Sequence, residues 1–145
     1  MNSSVNPKKI VLVGSNILAA VQREGVAGAG IQPGMLVAYD GNGDLVPHDV
    51  AGALTPKYIA DMPDYVGGGI DYEYQVGDQV KVQAGIGGTQ FYMWLSGGED
   101  VSKGDLLESA GDGTLRGETE GVPLFVALEN VSADVESVRI KVEVL

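Results

Sequence analysis

The chain has 145 residues, of which 44% are hydrophobic and 22 are glycine; 20 acidic and 9 basic side chains leave a formal charge of −11. That charge repels nucleic acid phosphates and anionic membrane surfaces, and no apolar run approaches the ~20 residues needed to span a bilayer. With no cysteine, disulfides, thiolate metal sites and cysteine nucleophiles are excluded.

The N-terminal "MNSSVNP" reads as a flexible arm. Lys8 and Lys9 before "IVLVGSNILAAV" faintly resemble a secretory signal, but Ser15 and Asn16 interrupt the apolar run, so a first strand is expected instead. The helical signal is confined to "ILAAVQRE", residues 17–24, with glycines directly after it. "IQPGMLVAYDGNGDLVP" is a glycine turn, an apolar strand, a Gly-X-Gly turn and a second strand. From residue 47 to 75 the chain carries Pro47, Pro56, Pro63 and the triplet Gly67 to Gly69, and a long functional or mobile loop is expected. Tyr58 and Tyr65 in this stretch either pin the loop to the body or present a contact surface.

"QVKVQA" alternates, with Val80, Val82 and Ala84 on one face and Lys81 and Gln83 on the other. "TQFYMWL" is apolar on both faces: Phe91, Met93 and Leu95 point one way, Tyr92 and Trp94 the other. The second pair reads first as a sheet face covered within the fold; the alternative is a face turned to a partner, since these residue types are enriched in interface cores. "PLFVALE" (residues 123–129) reads as a buried central strand. "SVRIKVEVL" closes the chain with Val138, Ile140, Val142 and Val144 inward, and Arg139, Lys141 and Glu143 outward. The pattern predicts an all-β fold, a barrel or sandwich of short strands and hairpins with long loops and little helix.

"IQPGMLVAYDGNGDLVP" aligns with "VSKGDLLESAGDGTLRG" at an offset of 70 residues, pairing Gly34 with Gly104, Leu36 with Leu106, Gly43 with Gly113 and Leu45 with Leu115. A looser third version surrounds Gly77. The repeat decides a metal question. Asp40, Asn42 and Asp44 imitate the opening ligands of a calcium loop, but the second unit has Ala110, Asp112 and Thr114 there. Leu45 also stands where that loop needs glycine, and Ala51 where it needs glutamate. The glycines persist and the carboxylates do not, as a turn requires, and no metal site is expected. The single histidine, His48, has no nucleophile motif to serve, and no catalytic residue or cofactor site is assigned.

The order "IQPGMLV…GDLVPHDVAG", "GGGIDYEYQVGDQVKV", "FYMWLSGGEDVSKGDLLESAGDGTLRG" and "VALENV…RIKVEVL" resembles the head decoration proteins of tailed bacteriophages, from Ile31 to Leu145. The run Gly98–Leu115 is its most specific part. The resemblance implies a non-enzymatic virion protein, made in the host cytoplasm, that binds the major capsid protein on the outer capsid surface and stabilises the shell as a homotrimer. Residues 31–145 are then the decoration domain, while residues 1–30 lie outside the resemblance and are read from their own composition as an N-terminal arm and first strand. The arm and "GVAGAGIQPG" are expected to order on the capsid. Interface candidates are Tyr92, Trp94, Tyr58 and Tyr65. A competing reading is a carbohydrate-binding β domain in which Trp94 and the tyrosines stack on sugar. A lipoyl- or biotinyl-type carrier ranks lower, because the hairpin tips hold no lysine.

Overall fold

A computed structural model of the chain describes residues 6–13 and 20–145. Its strands in chain order are β1 (Val11–Val13), β2 (Ala20–Val26), β3 (Leu36–Tyr39), β4 (Leu45–Pro47), β5 (Tyr58–Ala60), β6 (Gln79–Gly85), β7 (Gln90–Leu95), β8 (Asp100–Val101), β9 (Leu106–Ser109), β10 (Leu115–Gly117), β11 (Phe125–Ala127), β12 (Val131–Ser132) and β13 (Val138–Val144). One 3-10 turn, Asp64–Val66, is the sole helical element among the described residues. The fold is all-β.

The strands build two barrels of identical connectivity. In the first, the sheet order is β2-β6-β5-β3-β4, and a parallel bridge between Ala27 and Leu45 closes the ring. There the Gly28 N–H donates to the Leu45 carbonyl at 2.8 Å. In the second, β7 pairs with β13, β13 with β11, β11 with β9, and β9 with β10. β10 returns to β7 in parallel through Leu115 and Leu95, and the Ser96 N–H donates to the Leu115 carbonyl, again at 2.8 Å. Strand for strand, the antiparallel and parallel pairings of one barrel are those of the other. The 70-residue repeat in the sequence is therefore the visible part of a duplication of the whole barrel. β1 adds to the free end of the β7 edge, and β8 with β12 forms a separate small ribbon.

Register identifies the equivalent residues. Ala27, Val37, Leu45, Ala60, Val80 and Val82 fill the first barrel. Leu95, Leu107, Leu115, Ala127, Ile140 and Val142 take the same places in the second. Alternation along each strand puts these side chains inside, as period-2 geometry demands. One kind of turn precedes β3, β6 and β9. Met35, Asp78 and Asp105 donate their N–H groups to the carbonyls of Gln32, Gln75 and Ser102, with Gly34, Gly77 and Gly104 at φ +95°, +93° and +96°. Only glycine takes that third turn position without strain.

The barrels share a seam. Leu36 and Ile59 point out of the first barrel and are buried in the core of the second. The Gly52 N–H donates to the Ser109 carbonyl, and the Val122 N–H to the Gly52 carbonyl, both at 2.9 Å. Gly121 lies against Gly52 so closely that a Cβ on Gly121 would be 2.7 Å from the Gly52 carbonyl oxygen. A Cβ on Gly121 would displace Gly52 backbone, and Gly52 itself has φ +73°, so this contact favours glycine at both positions.

Several expectations from sequence need correction. The stretch with a helical signal forms β2 over residues 20–26, paired with β6 along all seven positions. Cross-strand pairing overrides a short stretch of helix propensity; residues 17–19, like residues 1–5 of the expected arm, lie outside the described residues. β2, assigned to the N-terminal segment 1–30, is a wall of the first barrel. The glycine-rich segment expected to order on a capsid is held within the chain itself, by the Ala27–Leu45 bridge and an antiparallel Ile31–Tyr74 bridge. The long loop contains β5, a three-residue strand too short to show alternation. Gln83, expected outward on a wet face, is buried and donates to Asp61 Oδ2 at 3.0 Å.

Candidate functional site

The outer face of the second barrel carries a cluster of aromatic and charged side chains. β7 sends Phe91, Met93 and Leu95 inside and leaves Tyr92 and Trp94 outside, opposite Lys141 and Arg139 of β13. The Arg139 guanidinium lies 4.4 Å from the Trp94 ring centroid and 5.9 Å from that of Tyr92. Stacking of this kind contributes ~0.5–2 kcal/mol, more as it is desolvated. Arg139 Nη2 donates to the Ile70 carbonyl at 2.7 Å, and Asp71 lies 3.9 Å away. Burial lowers the Arg139 pKa, the Asp71 charge opposes the shift, and Nη1 is buried without a hydrogen-bond partner among the described residues.

Trp94 is fixed further by the turn before β3. Its Nε1 donates to the Pro33 carbonyl at 3.0 Å, and its backbone N–H to Gly34 at 3.2 Å. Tyr92 is buried, its hydroxyl pKa raised by burial and then by the Glu129 charge, with Arg139 opposing. Asn6, Pro7, Lys8, Ile70 and Asp71 join Tyr92 and Arg139 around a cavity of about 160 Å³. The face thus gathers the N-terminal segment, the long loop, the Pro33–Gly34 turn and β7.

Tyr58 sits elsewhere. Its ring packs edge-on to Tyr39 on the first barrel, with centroids 5.8 Å apart. Tyr65 belongs to the 3-10 turn, and its side chain lies outside the described residues. The structure therefore brings Tyr92 and Trp94 together on β7 and places Tyr58 on the other barrel, beside Tyr39. Sequence reasoning overlooked Arg139, although its place on the wet face of a strand opposite Trp94 is readable once the register is known.

Two titratable groups lie buried in the second barrel and at the seam. Glu108 on β9 is fully buried and accepts from Arg116 Nε and Nη2 at 2.9 and 2.7 Å, and from the N–H groups of Thr119 and Gly121 at 2.8 and 3.0 Å. Burial pushes its pKa up, but those donors outweigh burial and the net shift is downward. His48 Nδ1 lies 2.6 Å from the Ser109 hydroxyl, which accepts from the Gly111 N–H. Burial lowers the His48 pKa, and Asp49 opposes the shift.

The turn that imitates a calcium loop spends its carboxylate on backbone. Asp40 Oδ1 accepts the N–H groups of Asn42 and Asp44 at 2.8 and 3.0 Å. In the second unit Asp112 Oδ1 accepts the Thr114 N–H at 3.0 Å. Among the described residues no cluster of three or more histidine or acidic side chains is placed to hold a metal ion. Among them, too, no helix is long and apolar enough to cross a membrane.

No protein-family model and no curated protein matches the chain. Among solved structures, the crystal structure of the head fiber gp8.5 N base in bacteriophage phi29 is similar, with a TM-score of 0.58 and 15% sequence identity. The match covers 87% of this chain and 94% of that one. At this identity the likeness is one of fold, and it spans both barrels of the present chain.

Proposed function

We propose that this protein is a non-enzymatic virion component that binds the outer surface of a bacteriophage capsid and stabilises the shell as a homotrimer. One observation carries the reading: the two-barrel fold is matched over 87% of the chain by the base of a phage head fiber. The resemblance of Ile31–Leu145 to head decoration proteins, read independently from sequence, points the same way. Stabilisation follows from linkage, because a protein that binds only the assembled shell shifts assembly by mass action. Repetition over a lattice adds avidity without a strong single contact. In this reading the major capsid protein is the partner, residues 1–30 supply the arm and first strand of the decoration domain, and Tyr92, Trp94, Tyr58 and Tyr65 are the contact candidates. The carbohydrate-binding alternative needs an open aromatic face, and the Arg139 guanidinium covers one face of Trp94.

Co-sedimentation with assembled capsids and with unassembled capsid protein tests the proposal. Binding to capsids alone, with a raised capsid melting temperature, is the expected result. Absence of binding at micromolar concentration would remove the capsid role. Light scattering at low and moderate salt tests the trimer separately: a mass near three chains is expected, strengthened by salt, which screens repulsion between chains of charge −11.

A further inference from the structure

The duplication sets the two barrels apart at one edge, where among the described residues only the second has an added strand. In the second barrel, β10 covers the β7 edge at Leu95, the Gly34 carbonyl accepts the Trp94 N–H at 3.2 Å, and β1 takes the part beyond: Val11 pairs with Phe91, and the Tyr92 N–H donates to the Ile10 carbonyl at 2.7 Å. In the first barrel, β4 covers the β2 edge only at Ala27. The residue equivalent to Tyr92 is Glu24, since Glu24 faces Lys81 where Tyr92 faces Lys141, and each lysine occupies the same position in its barrel. The Ala27 N–H donates to β6-side Asp78, and its carbonyl accepts from Gly77. Alternation therefore turns Gln22, Glu24 and Val26 to the other edge. The Gly28 N–H, reaching Leu45, confirms the direction. Among the described residues no acceptor reaches the N–H of Gln22 or Glu24, and these two residues and Val26 are exposed.

From this asymmetry we propose that the free edge of β2, Gln22 to Val26, is a docking site for an extended segment of another protein chain, added antiparallel as β1 is added to β7. Main-chain pairing would supply the affinity and local charge the preference. The occupant has the character of β1: basic residues followed by β-branched or aliphatic ones, as in "KKIVLV". Transposed onto β2, the β1 register carries its two lysines toward the Val26–Gly28 end. Asp40 and Asp44 lie there, within 3.4 Å of the position a Cβ on Gly28 would take, and Glu24 adds a third carboxylate along the edge. An acidic edge favours a basic strand and rejects an acidic one. The Tyr39 hydroxyl, 3.1 Å from the Glu24 carbonyl, holds that acceptor until an incoming N–H displaces it. The site does not depend on the capsid reading.

The test is amide hydrogen exchange on the full chain, alone and with a synthetic peptide of sequence PKKIVLVG, against a control peptide with both lysines replaced by glutamate. Alone, Tyr92 should exchange slowly and Glu24 and Gln22 quickly. With the basic peptide, Glu24 and Gln22 should slow by about tenfold or more, the worth of one or two new hydrogen bonds, and less with the acidic control. Glu24→Pro removes the outward N–H without touching the β6 ladder and should weaken peptide binding by about tenfold. Should that variant fail to fold, the exchange data on the unaltered chain still decide. No slowing at Glu24 and Gln22 under saturating peptide, or slowing confined to Tyr92, would overturn the proposal. Protection of Glu24 without peptide that grows with protein concentration would assign the edge to a second copy and overturn it equally.

Discussion

The two barrels have the same connectivity and different interiors, and the difference shows what topology demands and what packing adds. Where the second barrel places Phe91, Met93 and Leu95 along its first strand, the first has Arg23, Gly25 and Ala27. The first barrel leaves no room at Gly25, where a Cβ would sit 2.7 Å from Leu45 Cδ1. The core cluster of the second barrel also includes Ile10, Leu36 and Ile59 from outside its own ring, so it holds the first barrel and β1 in place. Closure of the ring is common to both; the stabilising volume is concentrated in one.

The largest effect should come from emptying that interior. Phe91→Ala removes a fully buried ring and should cost about 3–5 kcal/mol, whereas Arg23→Ala at the equivalent, exposed position should change stability by no more than about 0.5 kcal/mol. Urea unfolding of the two variants makes the comparison, and equal losses would break the claim that the second barrel dominates.

Next is the buried carboxylate. Glu108 and its cross-strand partner Arg116 occupy the places that Ala38 and Val46 hold in the first barrel. Glu108→Ala leaves Arg116 and two backbone N–H groups without their acceptor and should cost about 3 kcal/mol. The same group sets an acid sensitivity. Its folded pKa is below the ordinary value of 4.5, so its contribution is fully present above pH 4.5 and is lost as pH falls through the lowered folded value. Melting temperature across pH 3–6 should show a fall at the acid end that Glu108→Ala lacks.

Seam geometry ranks third. Gly121→Ala forces a Cβ into Gly52 backbone and should cost about 1–3 kcal/mol. Gly30→Ala, where a Cβ meets only open space at a backbone without positive φ, should be near neutral. The smallest effect is that of His48, also at the seam. Its folded pKa is below 6.5, so the neutral form is favoured on folding; stability is full above pH 6.5 and declines as pH falls toward the lowered value. His48→Gln should flatten that modest slope in the melting profile near pH 6.

Much of the fold is legible in the residues. Alternation in "SVRIKVEVL" and "QVKVQA" marks β13 and β6, and the apolar inner faces of "TQFYMWL" and "PLFVALE" mark β7 and β11. The hairpin repeat survives at a constant 70-residue offset because its turns impose glycine. The rest of the duplication is hidden. Loops of unequal length shift the offset between β5 and β11 and between β6 and β13, and Gly25 against Met93 shares no chemistry. The Arg139–Trp94 stack was not legible, because it depends on which strand lies beside β7.

By itself the sequence determined the all-β class, the turns and the inward faces of the strands, since these follow from local φ requirements and a period of two. Tertiary structure alone decided that the strands close into two rings and that helix propensity at β2 yields to pairing. It also decided that Arg139 stacks on Trp94 and that β1 lies on one barrel edge while, among the described residues, no strand lies on its counterpart. Those outcomes depend on long-range register and loop reach, which no short stretch of residues encodes.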